Sequence, residues 1–100
     1  MNIQITSRKF RANESLKNYV KTELQSLQRF NDQIMDVNVV LSFTHLRDSI
    51  KEVEVFLQVP GKTLSASESS EDFYKSVNLA AEKLKRQLKI IKSKRKARVR

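Results

Sequence analysis

The sequence contains no cysteine and no tryptophan, and it has a single glycine, a single proline and a single histidine. Without cysteine there is neither a disulfide framework nor a thiolate metal site, and the composition suits a reducing compartment. His45, with no cysteine or second histidine, leaves too few ligands for a zinc centre. One glycine, Gly61, cannot build a glycine-rich phosphate loop. No stretch approaches the roughly 20 apolar residues of a membrane span. Met1 to Phe10 lacks an apolar run and carries Arg8 and Lys9, so it does not read as a signal peptide. The paired carboxylates Glu52 and Glu54 alternate on one side of a strand pattern and read as a solvated face rather than an acid–base pair. The expectation is a protein without catalytic equipment, metal or cofactor.

What is present is enough for a small core and a highly uneven charge. The 100 residues, 39% of them hydrophobic, suit one globular domain. From Met1 to Glu82 there are 10 Lys/Arg and 11 Asp/Glu; from Lys83 to Arg100 there are 10 Lys/Arg and no acid. The whole net charge of +9 therefore resides in the last 18 residues. Such asymmetry points to a polyanionic partner.

Hydrophobic periodicity gives the element order. Ile3 and Ile5 alternate within a short strand, Asn2 to Thr6. Arg8 to Ala12 is a polar connection, and Asn13 is placed to cap a helix over Glu14 to Phe30, whose stripe is Leu16, Tyr19, Val20, Leu24, Leu27 and Phe30. Glu23 falls beside that stripe, with its carboxylate expected in water. Asn31 and Asp32 supply a stop. Val37, Val39, Leu41 and Phe43 share one side of a second strand, and Val53, Val55, Leu57 and Val59 one side of a third, with a polar turn over Thr44 to Ser49 between them. Pro60-Gly61 suits a type II turn into a returning strand, Lys62 to Ser67, with Leu64 and Ala66 inward. Ser69 or Ser70 is the expected cap of the last helix, with Glu71 and Asp72 at its positive end. Its stripe is Phe73, Val77, Ala80, Ala81, Leu84, Leu88 and Ile91. The order β-α-β-β-β-α implies an α+β two-layer sandwich, two helices on one face of a four-stranded mixed sheet.

The charges sort by layer. At 100° per residue with Phe73 at zero, the apolar residues of the last helix fall between about 340° and 80°, while Lys75, Lys85, Arg86 and Lys89 fall between about 120° and 220°. Lys17, Lys21 and Arg29 lie off the stripe of the first helix. The sheet face away from the helices carries Asp36, Asn38, Glu52, Glu54 and Gln58, with Val40 and Phe56 as apolar exceptions. Past Lys92 the stripe fails, because Arg95 would fall near 40°, where docking a guanidinium costs several kcal/mol without a partner. The helix is therefore expected to leave a domain of residues 1–92 near Lys92, with Ser93 to Arg100 as a mobile basic tail carrying Lys94, Arg95 and Lys96. Tyr19 is expected in the core; Tyr74, at the stripe's edge, is open to either a packing or a stacking role.

The run Leu64-Ser-Ala-Ser-Glu-Ser-Ser-Glu-Asp72-Phe-Tyr74-Lys-Ser-Val77, followed by Lys83-Leu84-Lys-Arg86-Gln87-Leu88, resembles the ribosome hibernation promoting factors. Their hallmark is an Asp-x-Tyr-x-x-Ile/Val helix start, then Lys-Leu-x-Arg-Gln-Leu and further lysines. The Leu-x-x-Tyr-Val helix ending in Phe30 and the strand at Val37 to Leu41 extend the resemblance over nearly the whole chain. It implies a β-α-β-β-β-α domain that binds the small ribosomal subunit where mRNA and tRNA would lie and silences idle ribosomes in stationary phase or stress. On that likeness Lys83, Arg86, Lys89, Lys92 and Lys94 would face ribosomal RNA phosphates, and Asp72 and Tyr74 would shape the helix start. Asn78, where many members have Asp, and Ser70, where Gly is common, depart from the pattern. The chain resembles the short form, without the dimerisation domain of long members or the acidic extension of the inhibitor type, which favours the type that works with a separate ribosome modulation factor. The expected partners are thus the small subunit and its rRNA, engaged by a monomer in the cytoplasm, with no membrane. The expected contacts are Lys17, Lys21, Lys75, Lys83, Lys85, Arg86, Lys89, Lys92, Lys94, Arg95 and Lys96. A generic double-stranded RNA binding module is the alternative.

Overall fold

The computed structural model describes residues 1–43 and 50–98, with side chains described as far as Ile91. The elements are β1 (Asn2–Ser7), α1 (Glu14–Gln25), a 3-10 turn (Ser26–Arg29), β2 (Asp36–Phe43), β3 (Lys51–Val59), β4 (Lys62–Ser70) and α2 (Phe73–Arg98). The sheet order is β1-β2-β3-β4. β1 pairs parallel with β2, Ile3 beside Val37 and Ile5 beside Val39. The two remaining pairings are antiparallel, and Val39, Val55 and Ala66 stand in one row. This is the α+β two-layer arrangement that the periodicity implies, both helices on one face. The turn over Thr44 to Ser49, with His45, lies outside the described residues.

The core lies between the layers. Val37, Val39, Leu41, Val53, Val55, Leu57, Leu64 and Ala66 from the strands meet Leu16, Val20 and Leu24 of α1 and Val77, Ala80, Leu84 and Leu88 of α2, all essentially without solvent contact. Each fully buried Leu or Val contributes on the order of 1.5–3 kcal/mol of transfer free energy. Phe10, from the polar connection, closes one end: its ring stacks on Phe73 at 5.2 Å and meets Phe43 edge-on at 5.3 Å. A lone aromatic in a polar segment carries no periodicity, so its place in the core is a finding of the structure.

Local chemistry sets the boundaries. Asn13 caps α1 as expected, its side chain accepting from the Leu16 amide at 2.8 Å. The helix pattern read through Phe30 resolves into α1 and a final 3-10 turn. There the Ser26 hydroxyl donates to the Glu23 carbonyl at 2.6 Å, a back-bond that competes with regular helix pairing. Asn31 then turns the chain by accepting from the Gln33 amide. Gly61, at φ +76°, supplies the left-handed position of the turn after Pro60.

Two sequence expectations at the start of α2 are corrected. β4 runs on to Ser70, paired with Lys51, beyond the expected end at Ser67. The serine-rich end alternates between faces, but serine on both faces leaves no hydrophobic signal. In consequence the cap is Asp72, not Ser69 or Ser70: its carboxylate accepts from the Tyr74 amide at 3.1 Å and its carbonyl from the Ser76 amide at 3.0 Å. Ser76 is fully buried and hydrogen-bonded, donating to the Lys51 carbonyl at 2.8 Å, with Ser70 Oγ 2.8 Å away. At its other end α2 is helical backbone as far as Arg98. Lys, Arg and Ala are good helix formers, and residues 93–98 contain no breaker.

Candidate nucleic-acid interface

The cations are arranged on the helical layer. α2 presents Lys75, Lys83, Arg86 and Lys89 exposed, with Lys85 half-buried; α1 contributes exposed Lys21 and half-buried Lys17, and the 3-10 turn adds exposed Arg29. The backbone of Lys92, Lys94, Arg95 and Lys96 belongs to α2, and their side chains lie outside the described residues. Among the described residues one ion pair forms, Lys75 to Glu71 at 3.5 Å on the exposed first turn. The amide of Glu71 and the Lys75 ammonium hold the Glu71 carboxyl below its ordinary range. Lys75 is therefore the partly neutralised member of the set. Lys83, Arg86 and Lys89 meet no carboxylate within ion-pair distance among the described residues. A ridge of unneutralised cations on one helix can release counterions when it meets phosphates.

An aromatic ledge lies under part of this ridge. Phe30, the cap of the 3-10 turn, packs half-buried against the core. The Lys85 ammonium lies 5.3 Å and the Lys89 ammonium 5.4 Å from its ring centre. Both are within range of a cation–π attraction. Phe30 was legible as a core residue of the helix stripe; its role as a seat for two lysines depends on tertiary placement.

Beside the ledge, Glu23 is not simply solvated, as its sequence position implied. It accepts from Asn78 Nδ2 of α2 at 3.0 Å and from the Tyr19 hydroxyl at 3.4 Å. Burial, helped by the Glu23 charge, holds the Tyr19 phenol above its ordinary value. The Tyr19 and Tyr74 rings lie 5.0 Å apart, and Tyr74 is 39% exposed. Asn78 thus acts as a donor that joins the two helices.

The sheet's outer face has the opposite character. By strand alternation it carries Asp36, Asn38, Glu52, Glu54 and Gln58, with Ser65, Ser67 and Ser69 on β4 and Phe56 at 40% exposure. Within the four strands no position of outward parity is a lysine or arginine. Lys51 and Lys62 have the parity of the core side, and Lys51 lies over the Phe43 ring at 5.5 Å. Among the described residues no cluster of His, Cys, Asp or Glu is placed to hold a metal, and no helix is long and apolar enough to cross a membrane.

A small α+β sandwich with a cationic helical layer and an anionic sheet is the class that fold and surface define. Residues 3–96 match the model of the Sigma 54 modulation protein / S30EA ribosomal protein family, so the chain belongs to that family, the family of the ribosome hibernation promoting factors. The chain is 31% identical over 97 residues to the ribosome hibernation promoting factor of Pseudomonas putida, covering 97% of this chain and 92% of the relative. It is 35% identical over 92 residues to the ribosome hibernation promotion factor of Deinococcus radiodurans, covering 90% of this chain but only 48% of that longer protein. Among solved structures, a ribosomal subunit interface protein from Coxiella burnetii superimposes with a TM-score of 0.84 at 29% identity, over 93% of this chain and 99% of that one. The N-terminal domain of Protein Y from Thermus thermophilus gives 0.80 at 26% identity, over 91% and 99%.

Proposed function

We propose that this protein is a non-enzymatic ribosome hibernation factor that binds the small ribosomal subunit in the cytoplasm. It occupies the channel that mRNA and tRNA would use and inhibits translation in stationary phase or stress. The single observation that carries the reading is the exposed, unneutralised cation ridge Lys83, Arg86 and Lys89 on α2. The names of the relatives and structural neighbours support it. Lys85, Lys17 and Lys21 widen that ridge and Lys75 is its weakest member; Lys92, Lys94, Arg95 and Lys96, further along the sequence, are proposed as additional phosphate ligands. Phosphate recognition by such a surface reads the shape of folded RNA rather than base sequence. The protein acts as a monomer when free, and a separate ribosome modulation factor is a further proposed partner.

Co-sedimentation with ribosomes on sucrose gradients tests the reading. With six or more phosphate contacts, affinity falls by on the order of 10³ between 50 and 200 mM salt. Binding at low salt that is lost over this range, together with inhibition of translation in vitro, is the expected result. Failure to sediment with ribosomes at low salt rejects it. Equal competition by naked double-stranded RNA would instead identify a generic duplex binder.

A further inference from the structure

Resting on that reading, we infer that Phe30 is a positioning residue for RNA recognition, its ring holding Lys85 and Lys89 as a preorganised pair of phosphate ligands. The two lysines are four residues apart on α2 and so share a helix face. A lysine side chain on such a face is ordinarily free to sample many rotamers, and ordering it on binding opposes association. Here both ammonium groups already converge on one ring, at 5.3 and 5.4 Å. Neither has a carboxylate partner among the described residues, although Glu23 and Glu82 line the same recess. The ring is itself fixed, because the 3-10 turn ends at Phe30, whose amide donates to the Leu27 carbonyl at 2.9 Å, and Leu27 is buried. An ammonium has three donor hydrogens, and a π face engages one side of it. The opposite side remains free to donate to a phosphate oxygen without leaving the ring. The ring therefore restricts where the charges are held without neutralising them, which a carboxylate partner could not do.

The test combines ribosome binding by the full chain with proton NMR of the free protein. Phe30→Leu keeps an apolar group against Leu27 and removes the ring; Phe30→Tyr keeps the ring. Phe30→Leu is expected to weaken ribosome binding about fivefold, and Phe30→Tyr to bind like the parent. In the Lys85→Met, Lys89→Met background Phe30→Leu should have no further effect, because there is nothing left to position. An equal loss in both backgrounds, or none in either, overturns the inference. In the free parent protein the ε-methylene protons of Lys85 and Lys89 should be shifted upfield by the ring; positions matching the other lysines overturn it without any variant. If the parent itself fails to bind ribosomes, the proposed function falls, whereas the NMR measurement still decides whether Phe30 holds the lysines.

Discussion

On the outer face of the sheet the strands place the charged residues Asp36, Glu52 and Glu54, on adjacent strands in fixed register. Across the molecule the outward surface of α2 carries Lys83, Lys85, Arg86 and Lys89, close to the 3-10 turn that ends in Phe30. Both surfaces are the polar side of an amphipathic element, and either would serve solubility. They differ in sign and in support. The sheet's carboxylates alternate with serine, asparagine and glutamine and make a diffuse anionic plane. The lysines of α2 are concentrated on one helix, and two of them rest on an aromatic ring. The contrast teaches that patterning alone builds the fold, while the sign and seating of the outward charges select the partner. A phosphate-rich surface is attracted to one face and repelled by the other, so the molecule can dock in one orientation.

The separation of the two faces depends first on the core between the layers. Leu84→Ala removes a fully buried side chain of α2 and should cost about 2–5 kcal/mol in chemical denaturation. A loss below about 1 kcal/mol would mean that α2 is not docked as described. The next effect is on binding. Arg86→Glu with Lys89→Glu should leave the melting temperature nearly unchanged and weaken ribosome binding at least tenfold, on the order of 1.4 kcal/mol or more. The sheet supplies the counterpart: Glu52→Gln with Glu54→Gln should alter that affinity by less than about twofold. An equal loss from both pairs of substitutions would erase the distinction between the faces.

A smaller effect concerns the junction of the helices. Asn78→Asp replaces the donor to Glu23 by a second carboxylate and should cost about 1 kcal/mol at neutral pH, read by urea denaturation. The smallest is the alkaline limit of stability. The Tyr19 phenol is held neutral above its ordinary pKa of 10.0 by burial and by Glu23. Its contribution is complete below that value and is lost as pH rises through the higher folded value. Tyr19→Phe should therefore lose less stability than the parent between about pH 9 and pH 11, measured by thermal unfolding.

Much of this architecture was readable because the strands alternate cleanly and the helices keep a three-four spacing. Val37 to Phe43, Val53 to Val59 and Leu84 to Leu88 announce their faces, and Asn13 and Pro60-Gly61 announce their turns. The end of β4 was not legible, because a run of serines has no hydrophobic alternation and serine is also a favoured cap. The true cap, Asp72, is decided by where that strand stops pairing. Of the candidate interface, the outward aspect of Lys75, Arg86 and Lys89 followed from helical geometry. Their support did not: Phe30 meets Lys85, and Glu23 meets Asn78, across 55 residues of sequence in each case. Periodicity within one helix carries no record of such contacts between helices.

The most direct measurement is a density map of the protein bound to ribosomes, at a resolution that separates its helices from its sheet. α1 and α2 are expected against ribosomal RNA, with the outer side of α2 at phosphate distance and Glu52 and Glu54 turned away. A map with the sheet face on the RNA, or with α2 directed into solvent, would contradict it.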